Sequence, residues 1–334
     1  MSKVLHKYKN GNVDVTLLED GTKIREWEGD QYVEFNESAD LKVTQFCDLG
    51  DQYNPKTKEF VAKSKTCAFC HEQSNNIGKH GNLGLIEDIW ASQQAGTELA
   101  IGGGNPLAHP HIDSFLYNMS RKGIIPNITM NMLHLKRFLK QIRDLQKEKC
   151  VYGMGVSYRG RDYLKNLPTT IDYTHVVFHM ILGLNDYDDC KAVIDWCREN
   201  QVQPKLLLLG YKQFGNGIQH YSPELQGQID AWQTIHLKRL MGVEGLTLSF
   251  DNLAIKQLEL QSVMSKDQWD TFYLGDDGSH TNFVDSVTEL FARSSTSTKR
   301  YPLSMVNNTR EMMAIIHEEV KKDRLLQDTE QTNK

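Results

Sequence analysis

Between residues 41 and 250 short apolar runs alternate with longer amphipathic ones, and this alternation restricts the chain to a parallel sheet with crossover helices. The apolar runs are LKVTQF (41–46), ELAIGG (98–103), NITMNM (127–132), YGMGVSY (152–158), HVVFHMILG (175–183), KLLLLG (205–210) and LTLSF (246–250). The intervening stretches, among them NLGLIEDIWASQQAG and DYDDCKAVIDWCRENQ, carry apolar residues at spacings of three and four, the helical period. A βα series of this length closes as a barrel or opens as a doubly wound sheet, and periodicity leaves both available. In either form chemistry is expected where the strands end.

Ahead of this series, the turn signals NGN (10–12) and EDGTK (19–23) separate short alternating segments, so residues 1–40 read as a β-hairpin appendage. Residues 41–290 form the expected α/β core, and residues 291–334 a C-terminal helical extension. The 334 residues carry 38 basic and 43 acidic side chains, a formal charge of −5, so no strong field favours nucleic acid or an anionic membrane. No apolar signal core or membrane-length run is present, and a cytoplasmic protein without a membrane partner is expected.

The first three of six cysteines, Cys47, Cys67 and Cys70, are grouped around the end of the first core strand. Such grouping points to metal binding in a reducing compartment and away from a disulfide scaffold. The pair in CAFC can turn both sulfurs to one metal or cluster, and Cys47 supplies a third ligand, leaving one position open. The competing reading is a structural zinc site completed by His71 or His80, within a non-catalytic α/β binding module.

The segments TQFCDLG and CAFCHEQS resemble the first-strand loop of the radical S-adenosylmethionine (radical SAM) superfamily, Cys-x3-Cys-x2-Cys with an aromatic residue, here Phe69, before the last cysteine. The first interval is lengthened to 19 residues, and deleting residues 51–66 restores the usual spacing. Certain 7-carboxy-7-deazaguanine synthases resemble the chain in having a longer first interval. LAIGGGNPLAHPHI (99–112) is similar to the family's Gly-Gly-Glu-Pro segment, with Asn105 in place of Glu. An amide oxygen still accepts from an ammonium group but brings no charge. GVSYRG resembles the segment that supplies a Ser or Arg to the methionine carboxylate.

The resemblance implies a radical-SAM-type partial or complete (β/α) barrel. It implies that Cys47, Cys67 and Cys70 hold a [4Fe-4S] cluster and that Phe69, Gly102, Gly103, Gly104, Asn105, Ser157 and Arg159 bind S-adenosyl-L-methionine. Reductive cleavage of that cofactor to a 5'-deoxyadenosyl radical would then abstract a substrate hydrogen, with an electron donor such as flavodoxin or ferredoxin. With no further clustered cysteines to form an auxiliary-cluster domain, a small-molecule or nucleotide-type substrate is the main expectation. A peptide or protein is the alternative, and no catalytic side chain is assigned.

Other residues have plainer readings. Cys150, Cys190 and Cys197 are expected as buried core thiols, and His134, His175 and His179 as core or rim histidines. Asp251 suits a helix N-cap. Tyr211 and Lys212, in LLGYKQFGNG, are expected at the barrel mouth, while YLGDDGSHTNF (273–283) is read as a turn or a substrate-facing loop.

Overall fold

The computed structural model describes residues 2–49, 52–54, 59–61 and 67–332. Three strands, β1 (Val4–Asn10), β2 (Val13–Leu18) and β3 (Lys23–Glu26), form a separate antiparallel sheet in that order. The small core of this sheet is Tyr8, Val13, Val15, Val33 and Phe35. The expected hairpin thus gains a third strand.

A ten-stranded sheet makes up the rest of the framework, in the order β12-β11-β10-β9-β8-β7-β4-β13-β14-β15. Its members are β4 (Ser38–Thr44), β7 (Glu98–Gly103), β8 (Ile125–Asn131), β9 (Gly153–Ser157), β10 (Val176–Ile181), β11 (Lys205–Leu209), β12 (Thr247–Phe250), β13 (Thr281–Asp285), β14 (Leu290–Ala292) and β15 (Tyr301–Pro302). Strands from β12 to β13 pair in parallel, and β14 and β15 add on antiparallel. Among the described residues β12 and β15 stand at opposite edges, so the barrel is partial. Within the insert, β5 (Gln52–Asn54) and β6 (Glu59–Val61) pair as an antiparallel hairpin; the rest of 51–66 lies outside the described residues.

All seven expected core strands occur. β13 to β15 were not foreseen, and the core boundary expected at 290 falls within β14. The stretch read as a turn or loop, 273–283, runs into β13, whose Phe283 and Val284 are buried. Five residues beside β4 give too short a pattern to separate a strand from a loop.

Helices cover the outer face. They include α1 (Leu83–Ile89), α2 (Ile112–Arg121), α3 (His134–Arg137), α4 (Leu139–Lys147), α5 (Arg161–Leu164) and α6 (Tyr187–Glu199). In α6 an Asp186/Asp189 capping box opens the helix, and Cys190, Val193, Ile194 and Cys197 recur at helical spacing on the buried face. Cys150, Cys190 and Cys197 are free, buried core thiols as expected. The C-terminal helix (Thr309–Thr332) docks through buried Met312, Met313 and Ile316. No described helix is long and apolar enough to cross a membrane.

β4 itself shows which way the sheet faces. Ala39, Leu41 and Val43 are buried against the helix layer, whereas Asp40 and Lys42 line a cavity on the other side. A central parallel strand normally reads as a continuous apolar run because both faces are covered. Polar alternation here marks a polar interior.

Candidate functional site

The cavity enclosed by the sheet has a volume of about 880 Å³ and opens at the C-terminal strand ends. Cys47, Cys67, Phe69, Cys70, Gly102, Gly103, Gly104, Ser157 and Arg159 all line it. Residues far apart in sequence are therefore brought to one chamber.

Cys47 follows β4 and is fixed by its own N–H, which donates to the Asn75 carbonyl at 2.8 Å. Burial pushes its thiol up to about 11. CAFC forms a tight turn, with the Cys70 N–H donating to the Cys67 carbonyl at 3.0 Å. Asn216 holds this turn from the start of the short helix Asn216–His220 that follows β11, donating its N–H to the Cys70 carbonyl at 3.1 Å and its Nδ2 to the Cys67 carbonyl at 3.2 Å. Gly215, with φ +55°, approaches so closely that a Cβ there would lie 2.4 Å from the His71 carbonyl oxygen.

Arg159 reaches across from the end of β9. Its Nη2 donates to Cys67 Sγ at 2.9 Å, and its guanidinium carbon sits 4.7 Å from the centre of the Phe69 ring. Burial raises the Cys67 thiol and the Arg159 charge opposes that shift. The Arg159 Nε is buried and lacks a hydrogen-bond partner.

The glycine segment after β7 closes on the Cys47 loop. The Gly104 N–H donates to the Thr44 carbonyl at 2.8 Å, and the Asn105 N–H to the Phe46 carbonyl at 2.7 Å. A Cβ on Gly103 would stand 2.4 Å from Thr44 O, and one on Gly104 would stand 2.0 Å from Phe46 O. Gly102 has 4.0 Å of room and faces the cavity. Asn105 does not line the chamber. It is fully buried, and its Nδ2 donates to Asp48 Oδ1 at 2.8 Å. The Asn105 Oδ1 has no partner.

Asp48 is the hub behind Cys47. Besides Asn105 it meets His134 Nε2 at 3.2 Å and Arg137 Nη1 at 2.6 Å. Burial opposes ionisation of Asp48, but His134, Asn105 and Arg137 outweigh it and hold the carboxyl below its ordinary range. A second buried cluster joins Lys42 on β4 to Glu72, just after the CAFC turn, at 2.5 Å and to Asp285 on β13 at 3.1 Å. Sequence reading did not single out Asp48, Lys42 or Asp40. The signal was the polar alternation of SADLKVT.

His179 lines the chamber, and burial lowers it to about 4, so it stands neutral. A Cβ on Gly155 would touch its ring, at 2.4 Å from Cε1, so the glycine leaves room for the imidazole. Tyr211 and Lys212 line the cavity, with Lys212 Nζ donating to Ser295 Oγ at 2.9 Å. Asp251 caps the helix that follows it, its Oδ1 accepting from the Ala254 N–H at 2.7 Å and the Gly210 N–H at 2.9 Å. Asp277 accepts from Asn252 Nδ2 at 2.6 Å.

Among the described residues, no group of three or more His, Cys, Asp or Glu side chains is gathered closely enough to hold one metal ion. A lone zinc at about 2.3 Å from each sulfur would need such gathering. His80, one candidate fourth ligand, instead has its Nδ1 2.9 Å from Thr44 Oγ1. A cubane cluster presents a different iron to each thiolate and so accepts ligands that stand further apart. Three free thiols lining one cavity, a turn in which Gly103 and Gly104 leave no room for a Cβ, and an orphaned Arg159 Nε fit a cluster with a polar cofactor beside it.

No family model and no curated protein sequence matches the chain. Among solved structures, SuiB from Streptococcus suis superposes with a TM-score of 0.56 at 11% identity, over 92% of this chain and 86% of that one. SuiB bound to its precursor peptide SuiA superposes with a TM-score of 0.54 at 13% identity, over 82% of this chain and 64% of that one. The chain therefore spans just under two thirds of the peptide-bound structure. At these identities the likeness is one of fold alone.

Proposed function

We propose that the protein is a radical SAM enzyme acting on a peptide. The observation that carries this reading is that Cys47, Cys67 and Cys70 line the same cavity as the Gly102–Gly104 turn. The lengthened Cys-x19-Cys-x2-Cys motif is then the cluster motif, divided by an insert that carries its own hairpin.

In this reading the three thiolates hold a [4Fe-4S] cluster, and Arg159 and Ser157 receive the carboxylate of S-adenosyl-L-methionine. Gly102 and Gly103 bring backbone carbonyls to its ammonium group. Asn105 acts one layer back, through Asp48, as a positioning residue for the Cys47 loop. The chemistry such a cluster supplies is one-electron cleavage of the sulfonium to a 5'-deoxyadenosyl radical that abstracts a hydrogen atom. The chain's own task is to exclude bulk water and hold the substrate C–H still beside that radical. An electron donor such as flavodoxin or ferredoxin and a reducing, cytoplasmic setting follow from the same reading.

A peptide replaces the small molecule or nucleotide favoured by the sequence alone. Its support is the resemblance of fold to a protein captured with a precursor peptide and the open mouth of the chamber. The test is anaerobic reconstitution, counting iron, sulfide and zinc per chain and assaying 5'-deoxyadenosine after dithionite. About four irons with cofactor cleavage is the expected result. One zinc in a colourless protein would overturn it.

A further inference from the structure

Residues 134–149, HLKRFLKQIRDLQKEK, carry six basic and two acidic side chains in a chain whose formal charge is −5. α4 turns Ile142 and Leu145 into the core. Its opposite face presents Lys140, Arg143 and Lys147, all exposed and spaced by three and four, so they form one stripe about 10 Å long. Lys136, in α3, is exposed as well and stands four residues ahead of Lys140. Asp144 pairs with Lys140 at 2.5 Å, which leaves the stripe with a net positive charge. Charge on an exposed helix face is ordinarily just solvated.

This face differs in where it leads. Arg137, beside Lys136, places Nη1 2.6 Å from Asp48 Oδ2, and Asp48 follows Cys47 in the chain. His134, at the start of α3, meets the other Asp48 oxygen at 3.2 Å. One side-chain contact therefore joins the α3 end of the stripe to the residue next to a proposed cluster ligand. A lipid surface does not suit the face: Ile142 and Leu145 are buried and Leu139 packs on the core, so α4 turns its apolar side inward. What remains is a cationic surface beside the Cys47 loop, complementary to an acidic protein.

We propose that the exposed face of α3 and α4 is the docking surface for an acidic one-electron carrier protein of the flavodoxin or ferredoxin kind. The proposal rests on the reading that Cys47, Cys67 and Cys70 hold a cluster. Carboxylates of the carrier meet Lys136, Lys140, Arg143 and Lys147, and its reduced centre stands on the Arg137 side. The carrier gives up one electron and is oxidised, the bound cluster is reduced by that electron, and no covalent bond is made or broken. Opposite charge steers the encounter and sets its orientation, while a small polar contact lets the oxidised carrier leave.

The test uses the full-length protein, with iron counted in each sample, and two probes, a flavodoxin and a [2Fe-2S] ferredoxin. Binding is followed by biolayer interferometry at about 25 mM and about 300 mM salt, which shortens the Debye length from about 20 Å to about 6 Å. At least one carrier is expected to bind wild-type protein at low salt and about tenfold or more weakly at high salt, a comparison that needs no variant. Lys140→Gln/Arg143→Gln/Lys147→Gln keeps helix propensity and should weaken low-salt binding about tenfold or more. Lys266→Gln/Lys321→Gln/Lys322→Gln removes the same charge from exposed positions elsewhere and should bind as wild type does. In iron-loaded protein the stripe variant should be reduced more slowly by the carrier, whereas dithionite, which needs no docking, should reduce it at the wild-type rate. Salt-insensitive binding, undiminished binding by the stripe variant, or no binding of either carrier would overturn the proposal. So would a preference for anionic phospholipid vesicles or duplex DNA at the same salt. Protein that loads iron without stripe-dependent binding defeats this inference alone, whereas protein that loads no iron defeats the proposed enzyme and the electron-transfer role with it.

Discussion

Asn105 Nδ2 donates to Asp48 Oδ1 at 2.8 Å, and both residues are buried. The residue that departs from the Gly-Gly-Glu-Pro pattern is thus a donor because its neighbour is an ionised acceptor. Asn105→Glu would bring a second carboxylate against Asp48 in a buried site. It is expected to destabilise the fold by about 3 kcal/mol and to reduce iron retention. Thermal melting and iron content check this, and an unchanged melting temperature would show that the two side chains do not meet.

The glycine turn gives a paired prediction. Gly104→Ala places a methyl group 2.0 Å from Phe46 O, on the backbone that carries Cys47, and should cost about 2–3 kcal/mol. Gly102→Ala meets nothing closer than 4.0 Å and should fold normally, while its methyl group narrows the cavity and weakens S-adenosylmethionine binding. Urea denaturation and equilibrium binding to reconstituted protein separate the two effects.

Arg159 contacts Cys67 Sγ and covers the Phe69 ring with one planar group. Lysine has no plane with which to do both. Arg159→Lys should lower cofactor affinity about tenfold, with iron content reduced to a lesser degree. Titration of reconstituted variant and wild type, monitored by the cluster's spectrum, measures it.

The two groups of thiols should behave oppositely. Cys67→Ser or Cys70→Ser is expected to abolish iron loading with little change in stability. Cys190→Ala, in the core of α6, should keep full iron content and lose about 1 kcal/mol. Iron analysis beside a melting curve for each variant tests the assignment, and iron loss in Cys190→Ala would refute it.

Glu37 joins the N-terminal sheet to the barrel, with its Oε2 2.7 Å from Arg25 Nη2 and 3.9 Å from Lys23 Nζ. Burial raises its carboxyl, but His280, Arg25 and Lys23 together bring it from 4.5 down to about 2. A carboxyl depressed in the folded state stabilises the protein above its unfolded value, and that stability disappears as pH falls from about 4.5 to about 2. The contribution is about 3 kcal/mol. Glu37→Gln should flatten the stability–pH curve in that window, as denaturant midpoints at pH 5, 4 and 3 would show.

The parallel strands, the core thiols of α6 and the Asp251 cap were legible because each depends on local periodicity or on contacts within a few residues. β13 was not, since its five residues become a strand only by pairing with β4, more than 200 positions earlier. The cysteines and glycines were readable as a pattern, but their partners were not: Asn216 on the CAFC turn, Arg159 on Cys67 and Asp48 under Asn105 join separate strand ends. The alternation in SADLKVT was present throughout, yet its meaning depends on which face of β4 is covered.

By itself, then, the sequence determined the order of the seven parallel strands from β4 to β12 and the residue types available for a cluster, because backbone preference and apolar period are local. Tertiary structure decided that β4 turns Asp40 and Lys42 into a chamber and that Asn105 points away from it. Long-range pairing sets which side of each strand loses its water, and desolvation governs which charged groups must find a partner.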